Sequence, residues 1–293
     1  MESPEEIRAK ELISKAEKAL KSGWGWFSSS TKYEDAFTLY SKAANNYKIA
    51  KNWENAGRCF VLCADMKSQS QSQFDAASQY ILAAEMYQRV DPSIAVGHYS
   101  KAISLFTEIG KFGLAAKNAE KVGEMYEKDN NISDASRFFQ QAADYYSGDN
   151  SSARANKCLE KVAYHVATLE DYSRGFDLFQ KLGTESLDNN LLKFNAKNHF
   201  LHACFCVLAK NDMVAAQNAI DRFLEIDYSF ADTRESKLVQ ELIDGCSDLD
   251  VDKFADALYS FDTVKKLTPW ETSILLRVKN TLTEHAQGTS DLC

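Results

Sequence analysis

The sequence predicts an all-α protein, a long array of stacked helical hairpins closed by a small C-terminal helical bundle. Three observations carry this. The first is a beat of small residues at Ala36, Ala56, Ala76, Ala95, Ala115, Ala135, Ala155 and Gly175, spaced by 20 residues at every step but one of 19. The second is a large apolar residue four positions after most of them: Tyr40, Phe60, Tyr80, Tyr99, Phe139, Leu159 and Phe179. Another small residue follows at Ala43, Ala64, Ala83, Ala102 and Ala142. These offsets line one face of an α-helix, so each unit is one amphipathic helix with its turn. The third is a scarcity of breakers, 12 Gly and 3 Pro in 293 residues, which favours long helices over many short strands. Two helices make a hairpin of about 40 residues, and stacked antiparallel hairpins make a tetratricopeptide-like solenoid, whose own period is about 34.

The N-terminal stretch MESPEEIRAKELISKAEKAL is charged throughout and lacks the apolar centre of a signal peptide. The stretch SGWGWFSSST (22–31) then interrupts the helical pattern, setting Trp24, Trp26 and Phe27 among glycine and serine. Helices follow over 35–47, 55–67, 75–87, 94–106, 114–126 and 134–146. VDPS (90–93), KDNNIS (128–133) and SGDNSS (147–152) read as the turns between them. The beat fades after about residue 185, where 190–212 and 212–226 still read as helices. From Tyr228 the helices shorten. Thr268-Pro269-Trp270-Glu271 spells a helix start, with a capping threonine, proline in the first turn and glutamate at the capping-box position. The helix it opens is expected to end near Glu284 in a frayed tail. The expected organisation is a solenoid over 1–227 and an acidic helical bundle over 228–293.

Charge is distributed unevenly. Residues 225–293 carry 14 acids and 7 bases, while residues 1–224 carry 28 acids and 27 bases. Phosphate binding needs a local basic excess, so nucleic acid is not an expected partner. No apolar run approaches the roughly 20 residues needed to cross a bilayer. Seven cysteines at irregular spacing fit reduced thiols and a cytoplasmic location.

No chemistry-bearing motif stands out. The chain has neither GxxxxGK[ST] nor GxGxxG, so it is not expected to hydrolyse nucleotide or to need a cofactor. His199, His202, Cys204 and Cys206 lie close in sequence, but on a helix the two thiols point roughly 200° apart and cannot share one tetrahedral zinc. Buried thiols at helix contacts are the simpler reading, and neither a metal site nor catalysis is expected. A solenoid without catalytic residues presents its surface to other macromolecules.

AKNWENAGRCF (50–60), ADYYSGDNSSARANKCLEKVA (143–163), FADTRESKL (230–238) and LLRVKNTL (275–282) resemble the soluble NSF attachment proteins, the α/β type more than the γ type. The resemblance is collinear over essentially the whole chain. It implies an adaptor that coats an assembled SNARE four-helix bundle and recruits the hexameric AAA+ ATPase NSF for SNARE disassembly in vesicle transport. The family's basic positions match Arg89, Lys111, Lys117, Lys157, Lys161, Lys197 and Arg234, implied contacts for an acidic SNARE bundle. One further basic position of the family is occupied by His202. Asp248, Asp250, Asp252 and Asp256 would face NSF together with Asp291 and Leu292 of the tail, which carries fewer acids than is typical of the family. The family's exposed aromatic loop falls on Trp24, Trp26 and Phe27, implying peripheral contact with a membrane surface on its cytosolic side. A general peptide-binding repeat scaffold is the other reading that the repeat pattern allows; such a protein would have no use for that loop.

Overall fold

The computed structural model describes residues 2–21 and 29–290. Those residues form fourteen α-helices and one short 3-10 helix, with no strand among them. In order they are α1 (Pro4–Lys21), α2 (Ser29–Ile49), α3 (Trp53–Gln69), α4 (Gln73–Tyr87), α5 (Pro92–Glu108), α6 (Phe112–Lys128), α7 (Ile132–Gly148), α8 (Ser152–Thr168), α9 (Tyr172–Leu187), α10 (Lys193–Ala209), α11 (Met213–Ile226), the 3-10 turn Tyr228–Asp232, α12 (Arg234–Ser247), α13 (Val251–Val264) and α14 (Pro269–Ser290). The chain divides into two compact units, Met1–Ala155 and Asn156–Cys293, with the division inside α8. Residue 227, where the sequence pattern changes, falls within the second unit.

In the first unit each helix packs against the next, from α1 through α7. The residues of the beat are what they pack with. Ala36, Ala56, Ala76, Ala95, Ala115 and Ala135 are fully buried, and Tyr40, Phe60, Tyr99 and Phe139 are at most 3% exposed. A methyl side chain lets two backbones approach, and the aromatic one turn away fills the space beside the close contact. The same chemistry explains Gly175 in the second unit. A Cβ there would come within 3.1 Å of the Cys206 Sγ on α10, so the beat has narrowed from alanine to glycine where a sulfur stands opposite.

The turns repeat as regularly as the helices. Lys51, Gln71, Gly110, Asn130, Asn150, Glu170, Asn211 and Leu249 each take a positive φ between 52° and 69°. In most of these turns the next residue donates its N–H to the carbonyl five residues back, as in Asn52 to Tyr47, Asn131 to Tyr126 and Asp171 to Val166. This is the Schellman closure: one left-handed residue ends a helix, and the following residue begins the next. Asn52, Asn131, Asp171, Asp212 and Asp250 then cap the new helix, accepting from a backbone N–H three residues on. Each two-residue junction thus satisfies the ends of two helices. A side chain in the left-handed region costs on the order of 1 kcal/mol, which glycine avoids. Gln71→Gly is therefore expected to raise stability by about 0.5 kcal/mol, read as a rise in the denaturant midpoint at unchanged m-value.

The second unit is organised around α10, which packs against α9, α11, α12 and α14. Every residue from His199 to Leu208 on α10 is buried, which its sequence anticipates by being apolar on all sides. α11, α12 and α13 are shorter, with 14 residues each. The capping box at α14 forms as its sequence spells it: Thr268 N–H donates to Glu271 Oε2 at 2.7 Å, and Glu271 N–H donates to Thr268 Oγ1 at 3.2 Å. The helix does not end near Glu284 but continues to Ser290. Ala286 and Gln287 are good helix formers, and no proline intervenes.

Candidate partner-binding site

The cations singled out in the sequence lie on helix surfaces. In the first unit Arg89, Lys111 and Lys117 are exposed. Arg89 lays its guanidinium over the Trp53 ring, 4.4 Å from the centroid, so its plane is held while its N–H groups stay in water. Lys111 occupies the N-cap of α6 without making a side-chain capping bond. Lys117 borders a groove of about 470 Å³ between α4 and α6, shared with Ile81, Glu85, Leu114 and Lys121. Lys121 is the more committed of the two lysines: its Nζ lies 3.2 Å from Glu85 and 4.9 Å from the Tyr99 ring centroid.

In the second unit Lys157 is exposed and Lys161 half-buried, one turn apart on α8 and so on one face. Glu160 stands between them in sequence, and burial raises its carboxyl above the ordinary range against the pull of His202 and Lys157. Lys197 on α10 lies 3.2 Å from Glu235, and Arg234 is exposed at the start of α12.

The four aspartates near α13 separate into two kinds. Asp250 caps α13 by accepting from Lys253 N–H at 2.9 Å, and Asp248 receives the Lys253 ammonium at 2.8 Å. Both therefore have local structural work. Asp252 and Asp256 are exposed and four residues apart, presenting two carboxylates from one helix face. Trp24, Trp26, Phe27, Asp291 and Leu292 lie outside the described residues.

His202 does not belong with the surface cations. It is 7% exposed, and its ring sits among Tyr164, Phe179, Phe205 and Trp270. Its Nε2 is 2.9 Å from Glu271 Oε1 and its Nδ1 is 3.3 Å from the Tyr164 hydroxyl. The residue that the resemblance sets at a basic position of the family is thus part of the core, where it ties α10 to the start of α14. His199, also buried, is pushed down to about 4 by burial and then by His202. The six described cysteines are core thiols. Cys204 and Cys206 are fully buried, and burial pushes Cys59 and Cys63 up to about 12, so they stay protonated at neutral pH. Among the described residues no cluster of His, Cys, Asp or Glu is arranged to hold a metal ion, and no helix is long and apolar enough to cross a membrane.

Sequence reasoning missed two features of this unit. One is the double use of Glu271, as helix cap and as partner of His202. The other is Glu235, buried yet bridged to lysines on two elements, which only the three-dimensional pairing of residues 197, 235 and 265 reveals.

Residues 7–283 match the family model described as soluble NSF attachment protein, SNAP. An alpha-soluble NSF attachment protein of Vitis vinifera is 40% identical over 285 residues, covering 97% of this chain and 98% of that one. A beta-soluble NSF attachment protein of Bos taurus is 35% identical over 292 residues, covering 98% of each. A probable vesicular-fusion protein sec17 homolog of Schizosaccharomyces pombe is 35% identical over 277 residues, covering 94% of this chain and 96% of that one. With the family matched from the first helix to the last, and alpha, beta and sec17 relatives aligned along nearly their full length, this chain belongs to the soluble NSF attachment protein family.

Proposed function

We propose that this chain is the adaptor that binds assembled SNARE four-helix bundles and recruits and stimulates the NSF ATPase, working in the cytoplasm against membranes. The full-length match to the family carries the reading. Exposed cations at Arg89, Lys111, Lys117, Lys157 and Arg234, with the half-exposed Lys197 and Lys161, supply what an acidic helical rod would meet. Residues 1–227 would hold the rod. Residues 228–293 would supply the NSF-coupling end, with Asp252 and Asp256 better placed for it than Asp248 and Asp250, whose carboxylates already serve α13. Asp291 and Leu292 would complete that end. Trp24, Trp26 and Phe27 would add membrane contact: burying aromatic rings contributes about 25 cal/mol per Å², and tethering at one surface multiplies weak contacts.

The binding half of the reading is tested with a preassembled SNARE complex, free in solution and anchored in vesicles. Lys117→Glu combined with Lys157→Glu is expected to weaken binding in both settings by about ten-fold at low salt, and less at high salt. Trp24→Ser, Trp26→Ser and Phe27→Ser together should weaken only the vesicle-anchored setting. Equal binding by the charge-reversed and unaltered proteins would remove the basis for the cationic surface. An unchanged vesicle result would remove the basis for membrane contact by Trp24, Trp26 and Phe27.

A further inference from the structure

Glu235, in the first turn of α12, is 2% exposed. Lys265, which follows α13, donates to its Oε1 at 3.0 Å and to Asn198 Oδ1 at 2.7 Å. Lys197 lies 3.2 Å from the other oxygen without hydrogen-bond alignment, so that buried Oε2 keeps an unmet acceptor. One carboxylate therefore draws together lysines from α10 and from the link between α13 and α14. Burial alone would raise Glu235's carboxyl, but Lys265, its own backbone N–H and Lys197 outweigh burial and hold it below the ordinary range. The acid stays ionised at neutral pH, and two cations around one anion leave an excess of positive charge.

That excess is presented to solvent. The side chains of Lys197 and Lys265 are 41% and 40% exposed. An ammonium has three donors, and Lys265 uses two of them internally. Arg234, exposed beside Glu235 in the chain, borders a groove floored by Leu238 and Phe261, and the Lys265 ammonium stands 5.7 Å from the Phe261 ring centroid.

We propose that Lys265 is a further contact for the acidic partner, and that Glu235 positions Lys197 and Lys265 as a paired seat for carboxylates on the surface of a four-helix bundle. The inference rests on the adaptor reading above. The occupant is the acidic rod rather than the ATPase, because a surface that pairs with the aspartates of this chain is basic and would be repelled by two lysines. Holding both ammonium groups before the partner arrives removes part of the ordering that a free lysine must undergo on binding.

The test compares the affinity of the full chain for a preassembled soluble SNARE complex, at low and high salt, across four proteins. Lys265→Ala is expected to bind about five-fold more weakly at low salt, with the gap narrowing as salt rises. Lys266→Ala serves as the neighbouring control: its side chain is 81% exposed and its ammonium is paired with Asp262 at 2.5 Å, so affinity should not change. Glu235→Gln removes a negative charge, so charge alone would tighten binding to an acidic rod, whereas loss of positioning weakens it. Weaker binding by folded Glu235→Gln is the expected result, and tighter binding would overturn the positioning role. Should that variant not fold, Lys265→Ala decides alone, and affinity equal to the unaltered protein overturns the seat while leaving the adaptor reading intact. An unaltered protein that does not bind the complex overturns both.

Discussion

Glu271→Ala is expected to lower stability by about 3 kcal/mol, and the melting temperature by roughly 10 °C. The residue is 3% exposed and does two jobs with its two oxygens. Oε2 accepts from Thr268 N–H and completes the capping box of α14, while Oε1 meets His202 on α10. Alanine would remove a cap worth about 1 kcal/mol. It would also leave a buried imidazole nitrogen without its partner, a loss of about 1–3 kcal/mol. The effect depends on pH. Burial raises the Glu271 carboxyl, but hydrogen bonds from His202 and Thr268 outweigh it and bring it down to about 2 from an ordinary 4.5. A group depressed in the folded state contributes fully above its unfolded value, and that contribution is lost as pH falls through the folded value. The difference between the variant and the unaltered protein should therefore be full at pH 7 and shrink as pH falls below 4.5. Thermal melts followed by circular dichroism at pH 7 and pH 3 check both parts. A variant that melts with the unaltered protein at pH 7 would show that the anchor is not where stability resides.

Gly183→Ala is expected to destabilise by about 2 kcal/mol, although alanine is the better helix former by about 1 kcal/mol. A Cβ at position 183 would lie 2.5 Å from Phe200 Cε1 and 2.7 Å from Cδ1. The ring cannot yield: Phe200 is fully buried, stacks on Phe223 at 4.4 Å and meets Phe230 edge-on at 5.6 Å. The overlap must move α9 from α10, the central helix of the unit, and close packing makes such shifts costly. Gly97 on α5 provides the contrast, because a Cβ there would meet nothing within 4 Å. Gly97→Ala should therefore stabilise by about 0.5–1 kcal/mol. Chemical denaturation of the two variants compares them directly, and shifts of the same sign would contradict the packing argument.

How much of this was legible in the sequence depended on whether a feature was local. The helices were legible because one face repeats every turn, and alanine at position 36, 56 or 76 needs no knowledge of its neighbour to mark a close contact. The start of α14 was legible because Thr268 and Glu271 are three residues apart and cap the same turn. The left-handed residues at 51, 71, 170 and 249 were not, since lysine, glutamine, glutamate and leucine carry none of the glycine signal by which such turns are read. The burial of His202 was not legible because basicity is a property of the residue while burial is a property of its surroundings: four aromatic rings converge on it from α8, α9, α10 and α14. Glu235 escaped notice for the same reason. Its partners lie 38 residues before it and 30 after, so neither helical spacing nor charge patterning brings them together. For the cations that the family resemblance implied, the structure adds which are already engaged within the chain, Arg89 over the Trp53 ring and Lys197 beside Glu235.

The most direct test of the account is ATP hydrolysis by NSF, measured with preassembled SNARE complex in the presence and absence of this protein, and repeated with Leu292→Ala. Stimulation should require the SNARE complex and fall sharply in the variant. A folded, helical protein that binds the complex and leaves NSF activity at its basal rate would contradict it.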